Sequence, residues 1–272
     1  MESPKIQNLF RNRILASLPA PDAAHITPHL SARTFKRNQT LHDPGQMIET
    51  IYFLEDGVCS IVVTMEDGTT VEVGIIGREG LVGMAALLGA GHSPCRNLIQ
   101  IAGSGYAIKA KTFAEHCHNG SSQLRLLLQR GVQGLVAQIA QTAACNRLHV
   151  LEERLARWLL MCHDLVQVDD LPMTHESLAM KLGTRRASVT EAVGMLQKAG
   201  LIEHSRGRVR IVDRKGLEKA ACECYSVIHN EYVRLGLFSE AQRPQIPPAS
   251  LAPRRGVMLN GSNLGKRIGE VA

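Results

Sequence analysis

Arg186, Ala187, Thr190 and Glu191 fall at spacings that bring them to one side of a helix, and their types suit the reading of hydrogen-bond edges. An arginine near a helix N-terminus can hold both acceptors of a guanine edge, and a glutamate can accept from a cytosine amino group. Ala187 and Gly194 keep that face shallow, which lets a backbone approach a major groove closely. Thr184, Arg185 and Ser188 lie beside the amides that open the same helix. They suit contacts to phosphate, which orient a protein on a duplex without reading its sequence. Arg206, Arg208 and Arg210 alternate through "SRGRVR" and suit the same backbone contacts from a hairpin.

Such residues need rigid elements behind them. Apolar spacing predicts a helix over 174–182 that buries Leu178, Ala179 and Leu182, after which Gly183 permits a tight turn. Thr174 is placed to cap it, with Glu176 one residue short of the capping-box position. A second helix over 185–199 buries Val189, Val193 and Leu196 and stops at Gly200. Two short strands then turn at Arg206-Gly207, with Val209 and Ile211 inward and Arg208 and Arg210 outward. The pattern is a helix-turn-helix followed by a wing.

At 272 residues the chain has room for two ordinary domains, and its 44% apolar content fits a globular fold. The net charge of +6 is modest, yet residues 184–215 hold eight Lys/Arg against three Asp/Glu, so much of the excess gathers around the candidate face. The longest apolar run, residues 81–90, falls far short of the roughly 20 residues of a membrane-spanning helix. The N-terminus mixes charges into an amphipathic pattern and lacks the apolar core of a secretion signal. Both features predict a cytoplasmic protein with no membrane partner. Cys59, Cys95, Cys117, Cys145, Cys162, Cys222 and Cys224 are odd in number and scattered, which argues for reduced thiols rather than a disulfide framework. There is no Walker loop, no H-E-x-x-H and no G-x-S-x-G.

Elsewhere the periodicity changes several times. Ile6, Leu9, Phe10, Ile14 and Leu18 share a helical spacing. Between about 33 and 111, Asp43-Pro44-Gly45, Asp56-Gly57 and Asp67-Gly68 mark turns between β-branched alternations such as Ile61, Val63, Val71, Val73 and Ile75. These predict a two-sheet jelly roll. Leu128, Val132, Leu135, Ile139 and Thr142 follow 4-3-4-3 steps, the seam of a coiled coil, and predict a dimer helix; the alternative is a helix packed on its own domain. A helix from Val150 to about Leu165 carries Leu151, Leu155, Trp158, Leu159 and Cys162 on one face. A last helix starts at Asp213 with Leu217, Ala220, Ala221, Cys224 and Ile228 inward. On that helix Cys222 and Cys224 would face different ways, and core packing accounts for Cys224. The expected fold is α+β: a jelly-roll sensor domain over 1–120, a dimerisation helix over 121–148, a winged helix-turn-helix DNA-binding domain over 149–238, and a disordered basic tail over 239–272.

This order of elements, with "LAMKLGTRRASVTEAVGMLQKAGLI" as its most specific stretch, resembles over about residues 5–235 the bacterial transcription regulators of the cyclic AMP receptor protein and FNR type (Crp/Fnr). The closing "LEKAACECY" is similar to one sub-branch of them. The resemblance implies a homodimer on a roughly palindromic site in double-stranded DNA, RNA polymerase as a protein partner, and no enzymatic activity. Arg186 matches the family's leading base-reading arginine, and Ser188 a phosphate or base contact. Ala187 stands where many members have glutamate and Glu191 where many have a second arginine, which implies a different operator.

The family's cyclic-nucleotide pocket uses a Gly-Glu pair and, soon afterwards, an arginine followed by serine or threonine. Glu79 and Arg96 are the nearest matches here. They lie far apart, and Asn97 replaces the hydroxyl, so the pocket reads as degenerate and cyclic AMP is not the expected effector. An FNR-like iron–sulfur site would need cysteines near the N-terminus, whereas the first is Cys59. A cupin-like metalloenzyme with a fused helical domain is the rival reading, resting on His116-Cys117-His118, but the glutamate of that pattern is missing. No metal site and no cofactor are assigned.

Overall fold

The computed structural model describes residues 10–239. Ile6, Leu9 and all of the expected tail after Ser239 therefore lie outside the described residues. Two short helices come first, α1 (Arg13–Ala16) and α2 (Ala20–Ile26). The Asn12 side chain caps α1 by accepting from the Ile14 and Leu15 amides, and Phe10, Ile14, Leu15 and Leu18 turn into the core.

Seven strands follow: β1 (Ser31–Phe35), β2 (Thr40–His42), β3 (Thr50–Leu54), β4 (Val58–Thr64), β5 (Thr70–Ile76), β6 (Arg96–Ile101) and β7 (Gly103–Lys109). They form two antiparallel sheets, β1-β7-β3 and β2-β6-β4-β5, as the turn spacing predicts. Gly45, Gly57 and Gly68 all take positive φ in the turns that the Asp-Gly pairs mark. At Gly57 a Cβ would also come within 2.5 Å of the Ile101 carbonyl, so nothing larger fits. Helix α3 (Ala110–Asn119) ends the roll, an element that the sequence pattern does not separate from the β domain.

Helix α4 (Ser122–Leu148) is the spine of the molecule. Ser121 caps it by accepting the Leu124 amide at 3.1 Å while donating to Asp22. The expected dimer seam also makes contacts within this chain. Leu128 and Thr142 are buried, while Val132, Leu135 and Ile139 are half-buried, Leu135 and Ile139 lying over Gly74 of β5. Leu135 and Ile139 thus meet the chain's own roll and Thr142 accepts from Arg157, while Val132, Leu135 and Ile139 keep part of their surface open. Close approach explains Gly134, where a Cβ would meet the Tyr232 ring at 2.9 Å.

The second half comprises α5 (Leu151–Val166), β8 (Asp170–Leu171), α6 (His175–Leu182), α7 (Arg186–Lys198), β9 (Ile202–Ser205), β10 (Arg208–Ile211), α8 (Arg214–Ala220) and α9 (Cys224–Arg234). Leu155, Trp158, Leu159 and Cys162 of α5 are buried as their spacing requires. The wing is a three-stranded sheet, β8-β10-β9, whose two-residue strand β8 the sequence did not reveal. The single last helix expected from Asp213 is in fact two. Asp213 caps α8 through the Gly216 amide, but Ala221 is extended and Cys222 lies in the break before α9. Cys222 and Cys224 are therefore not two apart on one helix, and the argument that they diverge does not hold.

The two halves join through buried polar groups. Glu72 on β5 accepts from Ser60 Oγ and Trp158 Nε1, each at 2.5 Å, and pairs with Lys181 Nζ of α6 at 3.4 Å. Lys181 donates to Gln100 Oε1 at 2.6 Å and sits over the Trp158 ring. Removing one member of a buried pair leaves the other uncompensated. Lys181→Met should therefore lower the unfolding free energy by about 3 kcal/mol, and adding Glu72→Gln should restore most of it; urea titration of the three variants against wild type measures both changes.

Candidate nucleic-acid interface

Local chemistry sets α6 and α7 at their angle. Thr174 accepts the Ser177 amide at 3.1 Å, and Ser177 Oγ reciprocates at the Thr174 amide, so the capping box closes on Ser177 rather than on Glu176. Gly183, in the left-handed conformation at φ 57°, ends α6. Leu178, Leu182, Val189, Val193 and Leu196 bury the inner faces of both helices.

The outer face of α7 carries Arg186, Ala187, Thr190, Glu191 and Gly194, all exposed. Arg185 holds the N-cap position without a capping side chain, so amides at the start of α7 stay open to an acceptor from outside. Arg185 is exposed, and Thr184 and Ser188 are half-buried beside it. The Thr190 hydroxyl donates to the Arg186 carbonyl at 3.0 Å and lies 3.1 Å from His175 Nδ1, so part of its capacity is spent within the domain.

Beyond α7 the wing turns at Arg206 and Gly207, both at positive φ, as a two-residue hairpin of this twist requires. Arg206, Arg208 and Arg210 are exposed while Val209 and Ile211 are buried. Arg208 is steadied by Asp170 of β8 at 2.7 Å. His175 and His204 stack at 4.2 Å between centroids and join α6 to the wing, a contact that sequence reasoning missed because nothing in the pattern pairs residues so far apart. The predicted reading and phosphate residues thus gather on one basic surface made by α7 and the wing.

Two comparisons decide the family. Residues 153–220 match the Crp-like helix-turn-helix domain, and residues 32–118 match the cyclic nucleotide-binding domain. The chain belongs to the Crp/Fnr family of DNA-binding transcriptional regulators. It is similar to a "Global nitrogen regulator" of Nostoc sp., 23% identical over 76% of this chain and 92% of that one. It is also similar to "Transcriptional regulator LdrP" of Thermus thermophilus, at 25% identity over 70% of this chain and 96% of that one. The fold is that of FixK2 from Bradyrhizobium japonicum, with a TM-score of 0.61 at 14% identity, covering 71% and 98% of the two chains. These are regulators rather than enzymes, which removes the cupin-like reading. His116 of that reading packs on the imidazoles of His25 and His29.

The residues proposed for an effector pocket do not come together. Arg96 pairs with Val62 at one end of β4 and extends to Asp43 at 2.7 Å, exposed. Glu79 lies beyond Ile76, the end of β5, which pairs with Cys59 rather than with Val62. Asn97 is buried and spent on Ser93. Glu79 is itself buried, accepts the Gly77 amide, and lines a small cavity with Gln138, Asp164, His229 and Tyr232.

Burial pushes the Glu79 carboxyl up to about 7, against the pull of the Gly77 amide and of Arg78 and Arg13. The unfolded chain releases that proton near 4.5 and the folded chain near 7, so this contribution to stability is complete below 4.5 and is lost as pH rises to about 7. Glu79→Gln should flatten that fall and raise the unfolding free energy at pH 8 by about 2–3 kcal/mol, measured by denaturant titration across pH.

Proposed function

We propose that the protein is a homodimeric, sequence-specific regulator that acts in the cytoplasm on a palindromic operator, with RNA polymerase as the protein it finally addresses. The observation that carries this reading is the exposed face of α7, where Arg186, Ala187, Thr190 and Glu191 stand beside an arginine-rich wing. Arg186 and Glu191 read base edges, Ala187 gives close approach, and Thr190 contributes from a hydroxyl shared with its own helix. Thr184, Arg185, Ser188, Arg206, Arg208 and Arg210 hold phosphates. The signal acts on the β-roll and is not cyclic AMP, a reading supported by the separation of Glu79 from Arg96 and by the commitment of Asn97 to Ser93.

Dimerisation uses the side of α4 that its own roll leaves uncovered. Leu126, Gln129, Gln133, Val136 and Ala140 recur there at 3-4-3-4 steps, all exposed, and Leu126 and Val136 are large apolar residues open to solvent. Val136→Glu should give a monomer in sedimentation while leaving the circular dichroism spectrum unchanged; a variant that remains dimeric would move the interface elsewhere.

Selection of bound sequences from a random duplex pool by the purified protein tests the whole reading. A palindrome is the expected outcome, and purely sequence-blind binding, with and without cell extract, would overturn it. On the selected site Arg186→Ala should cost about 1–3 kcal/mol and relax one position per half-site, whereas Arg210→Ala should weaken all sequences alike and reduce the salt slope by about 1.

A further inference from the structure

We propose that Cys145, His149, Cys222 and Cys224 bind one zinc ion at the joint between α4 and the DNA-binding domain. The ligand atoms of all four lie within 4.8 Å of one another. Cys145 Sγ is 3.5 Å from Cys222 Sγ, and Cys224 Sγ is 3.4 Å from His149 Nδ1. A tetrahedral zinc with sulfur at about 2.3 Å and nitrogen at about 2.0–2.1 Å has ligand-to-ligand edges of about 3.5–3.8 Å. Both close pairs sit at or just under the short end of that range. Three cysteines and one histidine are also a complete structural set for zinc, with no position left for water.

Three further observations separate this cluster from ordinary packing. Cys145, Cys222 and Cys224 are buried as a group of their own, apart from the contiguous apolar core. Their surroundings are those of an anion. Gln141 Nε2 donates to Cys224 Sγ at 3.1 Å, and the charges of Arg157 and Arg154 act on Cys145. Three thiolates on a divalent ion leave a net charge of −1, which those two arginines face. Finally, His149 Nε2 lies 3.3 Å from Glu223 Oε2, so a carboxylate orients the ring and turns its other nitrogen, Nδ1, towards the thiols.

The chain path supplies the purpose. Cys145 and His149 are one helical turn apart at the end of α4, while Cys222 lies in the break after α8 and Cys224 opens α9. The ion would clasp the spine of the sensor to the segment that follows the wing. Loading releases the three thiol protons to solvent and changes no oxidation state.

The test is the metal content of full-length protein purified under reducing conditions from zinc-supplemented cells. One zinc per chain, retained on dialysis and released by a mercurial thiol reagent, is expected. Cys222→Ser combined with Cys224→Ser should lose it, and Cys59→Ser, distant from the cluster, should keep it. Cobalt added to stripped wild-type protein should give thiolate charge-transfer and tetrahedral d–d bands, which carry the test even where the double variant fails to fold. Glu223→Gln should weaken zinc affinity about 10-fold while keeping the cobalt spectrum tetrahedral. No bound metal with seven titratable thiols would overturn the proposal. So would iron in place of zinc, or a Cys145–Cys222 disulfide seen as a mass lower by two hydrogens.

Discussion

A carboxylate withdrawn from water carries a desolvation penalty of several kcal/mol unless donors and a counter-charge replace its hydration. Glu72 meets that demand from both halves of the molecule. Ser60 reaches it from the roll, Trp158 from α5, and Lys181 from α6. No single domain satisfies it, so the position of the helix-turn-helix against β5 is fixed by electrostatics as well as by fit. Lys181 is under the same constraint, since a buried ammonium needs Glu72, Gln100 and the face of Trp158 around it. If the halves part, both charges must be solvated again.

The same strand holds the spine. The Ile75 amide donates to Gln138 Oε1 at 2.6 Å, and Gln138 Nε2 donates to the Tyr232 hydroxyl at 3.1 Å, so β5, α4 and α9 are tied in series. Gly74 and Gly134 allow that approach, because a Cβ on either would press on Gln138 or Tyr232. A change in the roll that displaced β5 would act on the reading domain twice, through Glu72 and through Gln138. Packed polar contacts are either made or lost, so a displacement of β5 would have discrete rather than graded outcomes at this junction.

Much of this was legible in the sequence wherever one local rule had one outcome. The Asp-Gly turns at 56–57 and 67–68 have few alternatives, and the exposed face of α7 follows from where Val189, Val193 and Leu196 must go. Heptad spacing was less decisive, because the stripe from Leu128 to Thr142 meets the same rule whether it faces a partner or its own roll. The other stripe, Leu126 to Ala140, has the same period but is diluted by Gln129 and Gln133, so hydrophobicity drew the eye to the side that the roll covers. Contacts across long separations left no pattern at all. Glu72 with Lys181 and His175 with His204 depend on how the domains dock. Glu79 and Arg96, matched to the family's pocket only loosely in the sequence, have separate partners in the fold, the Gly77 amide and Asp43.

The thiols near the C-terminal end illustrate how much hangs on one backbone choice. Continuing the helix from Asp213 through Cys224 sends Cys222 and Cys224 to different sides, and core packing is then the natural account. Ala221 instead adopts an extended conformation, which swings Cys222 back beside Cys145. Local propensity gives no reason for that break, since alanine favours helix more than any other residue. The compensation lies in what the break assembles. It brings two thiols from one segment to a thiol and an imidazole from another, 77 residues away for Cys145 and Cys222. A metal ion shared by the four would hold that contact by bonds rather than by packing alone.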